Sequence, residues 1–156
     1  YITYKKWKEA GITLDVILDY KHSLLNFIEE DDRFFTLYTV REEGFEHYLD
    51  SLGFSDIFYE RLIFAFEEFR GTQVSNTYIF RKTNSAVSLR DFLYKYVSTK
   101  RVIKLEDLID QIEQSYNVIL ESSKAIFLLR QMDVFYSEEL YKFYIDKEDY
   151  FEEVYE

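Results

Sequence analysis

Val102-Ile103-Lys104-Leu105-Glu106-Asp107-Leu108 changes its periodicity within two turns of chain. Arg101 to Lys104 reads as a short strand, whereas Leu105, Leu108, Ile109 and Ile112 fall on one face of a helix reaching about Tyr116. Upstream, Ser88 and Asp91 form an N-terminal capping arrangement, with Asp replacing the usual Glu or Gln, for a helix through Leu89, Phe92, Leu93 and Tyr96. Downstream, Ser122 or Ser123 is placed to cap a helix carrying Ala125, Ile126, Leu128, Leu129 and Met132. Phe135-Tyr136 and Tyr141 to Ile145 then read as paired short strands, and Asp146 can cap a last acidic stretch from Lys147 to Tyr155.

The amino-terminal half follows the same plan. Thr3 to Ala10 can form a short basic helix ended by Gly11, and Leu14, Ile17, Leu18, Leu24, Leu25 and Ile28 recur at helical spacing to about Glu30. Arg33 to Val40, β-branched and aromatic, reads as a strand. Glu42 to Leu52 reads as a helix with Gly53 as its C-cap. Ser55 opens a third helix through Ile57, Phe58, Leu62, Ile63, Phe66 and Phe69 that stops at Gly71. Its apolar residues occupy more than one face, which predicts a central position. Val74 to Lys82 is strand-like around Tyr78-Ile79-Phe80, and Asn84-Ser85 marks a loop. The halves are offset by roughly 64–68 residues, with Phe34-Phe35 opposite Val102-Ile103, Tyr48 opposite Ile112 and Phe54 opposite Val118.

This order resembles the winged helix, in which three helices, a small strand between the first two and a terminal hairpin form one module. The resemblance is stronger in the second half. There Val102-Ile103-Lys104-Leu105-Glu106-Asp107-Leu108, leading into Ser122-Ser123-Lys124-Ala125-Ile126, is similar to the winged-helix modules related to the amino-terminal domain of the RNA polymerase delta subunit. It covers Ser88 to Ile145 and implies a non-catalytic module linked to transcription or nucleic acid. The expected fold class is α+β, mainly helical, with two tandem winged-helix-like modules bearing short strands and small wings. Residues 1–86 form the first, with an amino-terminal helix, and residues 87–156 the second, with an acidic carboxy-terminal helix.

Composition narrows the function classes. At 156 residues with 47% hydrophobic content, the chain can bury a core in one domain or two small ones. Gly 4 and Pro 0 argue against a turn-dense all-β fold, and Cys 0 excludes disulfides, thiolate metal sites and cysteine nucleophiles. No apolar run approaches the roughly 18–20 residues of a membrane span, and no secretory signal is evident, so a cytoplasmic protein without a membrane partner is expected. A start at Tyr1 reads as a region of a longer protein, and the resemblance to the polymerase delta modules implies a bacterial one. Aromatics reach 20%, which predicts a Phe-filled core with Tyr at its boundary, or an aromatic contact surface.

A net charge of −11 opposes generic coating of nucleic acid, but the charge is segregated. Between residues 81 and 104 stand Arg81, Lys82, Arg90, Lys95, Lys100, Arg101 and Lys104, with Asp91 as the sole acid. These seven are the candidate contact residues for nucleic acid or a protein partner, with Tyr94 and Tyr96 beside them; intramolecular pairing with acids is the competing reading. Lys5, Lys6 and Lys8 around Trp7 form a smaller cluster with the same ambiguity. The third helices are poor phosphate readers: Arg61 and Arg70 stand against Asp56, Glu60, Glu67 and Glu68, and Lys124 and Arg130 against Glu121 and Asp133.

Catalytic and metal patterns are missing. Glu43 and His47 are one turn apart, but neither a second Glu-x-x-His nor a His-Glu-x-x-His exists, so a surface ion pair is expected. His22 lacks a partner pattern and is expected on a polar helix face. Glu29 to Asp32 lacks the alternating ligands and turn glycine of a calcium loop. The abundant carboxylate pairs, Glu138-Glu139 and Glu152-Glu153 among them, identify no general acid or base in so acidic a chain. No phosphate loop or nucleophile elbow occurs, and neither a cofactor nor a small-molecule substrate is implied. Tyr141 to Glu156 interleaves aromatics with acids, as a helix closing the second module or as a face for a basic partner. The expectation is a non-catalytic regulatory or adaptor region that contacts nucleic acid, as in DNA-binding helix-turn-helix regulators of transcription. The alternative is an acidic-aromatic protein-interaction module.

Overall fold

The structure, a computed structural model, describes residues 11–30 and 32–155, so the helix expected over Thr3 to Ala10 and the Lys5, Lys6 and Lys8 cluster lie outside the described residues. The chain is α+β and mainly helical, with two small three-stranded antiparallel sheets. Helix α1 spans Leu14–Phe27, opened by Thr13, whose hydroxyl accepts from the Val16 N–H at 3.2 Å.

The strand expected over Arg33 to Val40 is only β1, Phe34–Phe35, and Leu37–Glu42 forms helix α2. Thr36 causes the switch. The Thr39 N–H donates to Thr36 Oγ1 at 3.1 Å, and the Thr36 N–H donates to Thr39 Oγ1 at 3.3 Å, a reciprocal capping box. Strand propensity yields because the helix buries Leu37, Thr39 and Val40.

The helix expected over Glu42 to Leu52 is cut at Gly44, where φ is +104°. The Gly44 N–H donates to Arg41 O at 3.1 Å and the Phe45 N–H to Val40 O at 2.9 Å, closing a Schellman turn. Only Tyr48–Leu52 winds up again, as a 3-10 helix ended at Gly53. Helix α3, Asp56–Ala65, begins after Ser55, whose side chain makes no cap bond, and ends short of Gly71. Phe66 is already extended, and Phe69–Val74 forms β2, so Gly71 lies inside a strand. Strand β3 is Thr77–Lys82, and the sheet order is β1-β3-β2 with Phe35 opposite Phe80.

The second half matches its expected elements more closely. Helix α4 is Leu89–Lys100, with Ser88 Oγ accepting from the Asp91 N–H at 3.1 Å. Strand β4 is Val102–Lys104, followed directly by α5, Leu105–Tyr116. Helix α6, Ser122–Arg130, has Glu121 at its N-cap with no side-chain bond, so neither Ser122 nor Ser123 caps it. Strands β5, Phe135–Ser137, and β6, Lys142–Tyr144, precede α7, Lys147–Tyr155, where Asp146 Oδ1 accepts from the Glu148 N–H at 2.9 Å. The order β4-β6-β5 repeats that of the first sheet: the first strand pairs with the last. Phe34-Phe35 and Val102-Ile103 hold corresponding strands, but Tyr48 and Ile112 do not correspond, since Tyr48 opens the 3-10 helix and is exposed while Ile112 is buried in α5.

Two compact units result: one holds the chain to Arg70 with Phe80–Ser85, the other Gly71–Ile79 with Ala86 onward. The first core contains Tyr20, Leu24, Ile28, Phe35, Val40, Leu49, Ile63, Phe69 and Phe80, and the second Leu93, Val97, Leu108, Ile112, Ala125, Leu129 and Phe143, all fully buried. Tyr is not confined to the boundary: Tyr20, Tyr59 and Tyr144 are buried as completely as any Phe, and the Tyr59 hydroxyl donates to Leu49 O at 2.8 Å.

Gly44→Ala is expected to cost about 1–2 kcal/mol from the left-handed backbone alone, because nothing lies within 4 Å of an added Cβ. Thr36→Ala is expected to cost about 1 kcal/mol or more through loss of the cap. Urea unfolding of both variants, with an unchanged m-value, checks these figures.

Candidate nucleic-acid or partner interface

The seven bases of the 81–104 window are divided between the two units. Arg81 and Lys82 end β3 in the first; Arg90, Lys95, Lys100, Arg101 and Lys104 belong to the second. Arg81 is tied down: its Nε donates to Asp32 O at 2.8 Å, and its guanidinium lies 4.4 Å from the Phe34 ring centroid. The Lys82 carbonyl accepts from the Asp32 N–H at 3.3 Å, so both residues hold the 32–34 segment beside β3.

In the second unit, α4 does not gather its bases. Arg90 and Lys95 are five positions apart, about 140° around a helix, and flank opposite edges of the buried face of Leu89, Phe92, Leu93 and Val97. Lys100 Nζ lies 5.6 Å from the Tyr96 ring centroid, and the Tyr96 hydroxyl is fixed by Gln111 Oε1 at 2.6 Å. Arg101 has φ +67° and reaches Asp149 Oδ2 at 3.4 Å. Lys104 is exposed and stands opposite Lys142 across the β4–β6 pair. Arg90, Lys100 and Lys104 have no acidic partner among the described residues.

Acids from the carboxy terminus meet part of this surface. Helix α7 docks on the second sheet through Tyr150, whose ring centroid is 4.7 Å from Phe135 and 5.4 Å from Tyr144. Glu153 accepts from Lys142 Nζ and from the Tyr144 hydroxyl. Those two hydrogen bonds hold the Glu153 carboxyl below the usual range. Burial, reinforced by Glu153, raises the Tyr144 phenol, which stays a donor. The closing-helix reading of Lys147 to Tyr155 describes this docking, although α7 keeps Phe151, Val154 and Tyr155 exposed.

The third helices hold what charge counting missed. Helix α3 is not central: Tyr59, Leu62 and Ile63 face the core, while Ile57 at 56% and Phe64 at 52% exposure look outward in one stripe with Arg61. On α6, Phe127 is 62% exposed beside Lys124, and Ile119 just upstream is exposed too. Arg70 is spent on the carbonyls of Glu67 and Phe69, at 2.6 and 3.1 Å, and Arg130 on Glu138 at 3.2 Å. The available signal was the second apolar face of α3, which fits an outward contact stripe as well as a buried helix.

His47 does not pair with Glu43, which instead binds Arg33. Its Nδ1 accepts from the Leu49 N–H at 3.0 Å, so Nε2 carries the proton donated to Asp19 Oδ2 at 2.7 Å. The ring is an N-cap of the 3-10 helix. His22 is exposed on α1. Among the described residues no group of three or more His, Asp or Glu could hold a metal, and no helix is long and apolar enough to cross a membrane. No family model, curated protein or solved structure matches the chain.

A lowered Glu153 pKa means that its contribution is fully present above the ordinary glutamate range and is lost as pH falls through the folded-state value. Hydrogen-exchange protection over residues 147–155, measured relative to the intrinsic amide rate at each pH, is therefore expected to fall on acidification through that folded-state value. Glu153→Gln should speed exchange at neutral pH and remove this step.

Proposed function

We propose that the chain is a non-catalytic adaptor region of a larger transcription- or nucleic-acid-linked protein, built from two winged-helix-like modules that contact a protein partner. The shared order of helix, strand, helix, helix and hairpin, with first strand paired to last, supports the module assignment. Over residues 88–145 every part of that order is present; over residues 14–82 the middle helix is interrupted at Gly44.

The observation that carries the partner class is the outward face of the third helix. A winged helix that reads DNA presents cations there to phosphates. Here α3 presents Ile57 and Phe64 around Arg61, and α6 presents Phe127 beside Lys124. Exposed aromatic and apolar side chains around a single Arg or Lys suit a protein surface, where an aromatic anchor is desolvated by its partner. The tip of the second hairpin, Glu138-Glu139, repels a phosphate backbone. A second reading, nucleic-acid contact through Arg90, Lys100 and Lys104, is favoured by their lack of acidic partners among the described residues.

Photocrosslinking from p-benzoylphenylalanine at positions 64 and 127, with Glu113 as control position, is expected to give discrete protease-sensitive adducts at the first two only. Nuclease-sensitive adducts would overturn the protein reading. In parallel, short duplex and single-stranded DNA should show no measurable binding at low salt. Binding that weakens on Lys100→Glu with Arg101→Glu, with a flattened salt slope, would establish the second reading instead.

A further inference from the structure

An open cavity of about 560 Å³ lies in the second unit among the start of α5, the start of α6 and the tip of the β5–β6 hairpin. Its apolar lining is Leu105 and Ile109 on one side and Leu140 and Tyr141 on the other. Glu106, Asp110, Ser122 and Lys104 supply the polar lining. The volume suits a few side chains of a bound segment.

The hairpin tip is held in a costly shape. Tyr141 has φ +55°, a left-handed backbone that bulky residues rarely adopt. Its N–H donates to Ser137 O at 2.8 Å and its carbonyl accepts from the Leu105 N–H at 2.8 Å, so both neighbours enforce the bend. The ring nevertheless remains 65% exposed, and Leu140 beside it is exposed as well. Within the module these side chains gain little burial from the position in which they are held.

The charges at the cavity specify its occupant. Glu106 and Asp110 are one turn apart on α5, so both carboxylates face the same way. Both are exposed and neither has a basic partner among the described residues. Exposed Asp107 and Glu113 on α5 and Glu139 on the hairpin deepen the negative field. Lys104, at the N-cap of α5, is the one basic residue among the described residues that line the cavity.

We propose that this groove docks a basic amphipathic segment of a partner protein. Its apolar side chains enter between Leu105 and Ile109 on α5 and Leu140 and Tyr141 on the hairpin. Its Lys or Arg residues meet Glu106 and Asp110. The proposal rests on the protein-interaction reading above but assigns a surface separate from Phe64 and Phe127.

The test titrates the isotope-labelled full chain with a short amphipathic peptide of leucine and lysine, against a leucine–glutamate control. Expected are micromolar binding of the basic peptide alone, and amide shifts concentrated at Leu105, Ile109 and Tyr141. Glu106→Lys with Asp110→Lys should weaken binding about tenfold. Lys104→Glu should strengthen it, the opposite of its effect on a nucleic-acid contact. Tyr141→Asn removes the ring while tolerating the left-handed backbone, so it should weaken binding in a folded protein. Shifts spread over the other acidic faces, indifference to the charge reversals, or no binding would each overturn the groove assignment. Crosslinks from positions 64 and 127 that survive such a result would leave the wider protein-interaction reading standing. Groove binding without those crosslinks would remove the third-helix surface alone.

Discussion

The antiparallel pairing of β4 with β6 organises the second unit. Ile103 stands opposite Phe143, and the ladder is extended at both ends, by the Ile145 N–H on Arg101 O at 2.9 Å and the Leu105 N–H on Tyr141 O at 2.8 Å. Closing the chain from residue 102 to residue 144 is entropically unfavourable. Burial of Ile103, Phe143 and the apolar faces of α4, α5 and α6 offsets that loss. The same closure brings Tyr141 beside the first turn of α5 and exposes the outer sheet face on which α7 docks. The groove and the acidic carboxy-terminal helix are both consequences of one strand pair.

The first sheet applies the same rule with a different neighbour. β1 pairs with β3, and Asp32, Phe34 and Arg81 are knitted together by backbone acceptance and a guanidinium over a ring. An arginine used in this way is structural. Around Tyr20 the first core is a cage of Phe45, His47, Tyr59 and Phe66, and the Tyr20 hydroxyl has no hydrogen-bond partner among the described residues. Burial raises its phenol pKa, with Asp50 adding to the effect, so the ring remains neutral in the core. Charge is managed differently at the surface, where some basic residues are paired internally and the third helices turn apolar side chains outward around Arg61 and Lys124.

The second half was legible because its signals are local. Ser88 with Asp91, the change of period at Lys104–Leu105 and the amphipathic spacing of α5 all act within a few residues. The first half was harder because two local signals compete. Phe34 to Val40 has strand propensity, yet the Thr36–Thr39 capping box turns most of it into helix. Gly44 ends that helix before the apolar spacing does, since a Schellman turn needs a left-handed residue at that position.

From its residues alone this chain determined its α+β class, a repeated order of elements and the segregation of its charge. Tertiary structure decided what each charge does. Arg101 meets Asp149 and Arg81 meets Asp32, partners 48 and 49 positions apart, while Arg90 and Lys95 diverge around their own helix. A cluster in sequence becomes a surface only when helix rotation and long-range pairing allow it. For the same reason the groove of Leu105, Ile109, Leu140 and Tyr141 could not be read from the chain: strands and turns far apart in sequence must pair before it exists.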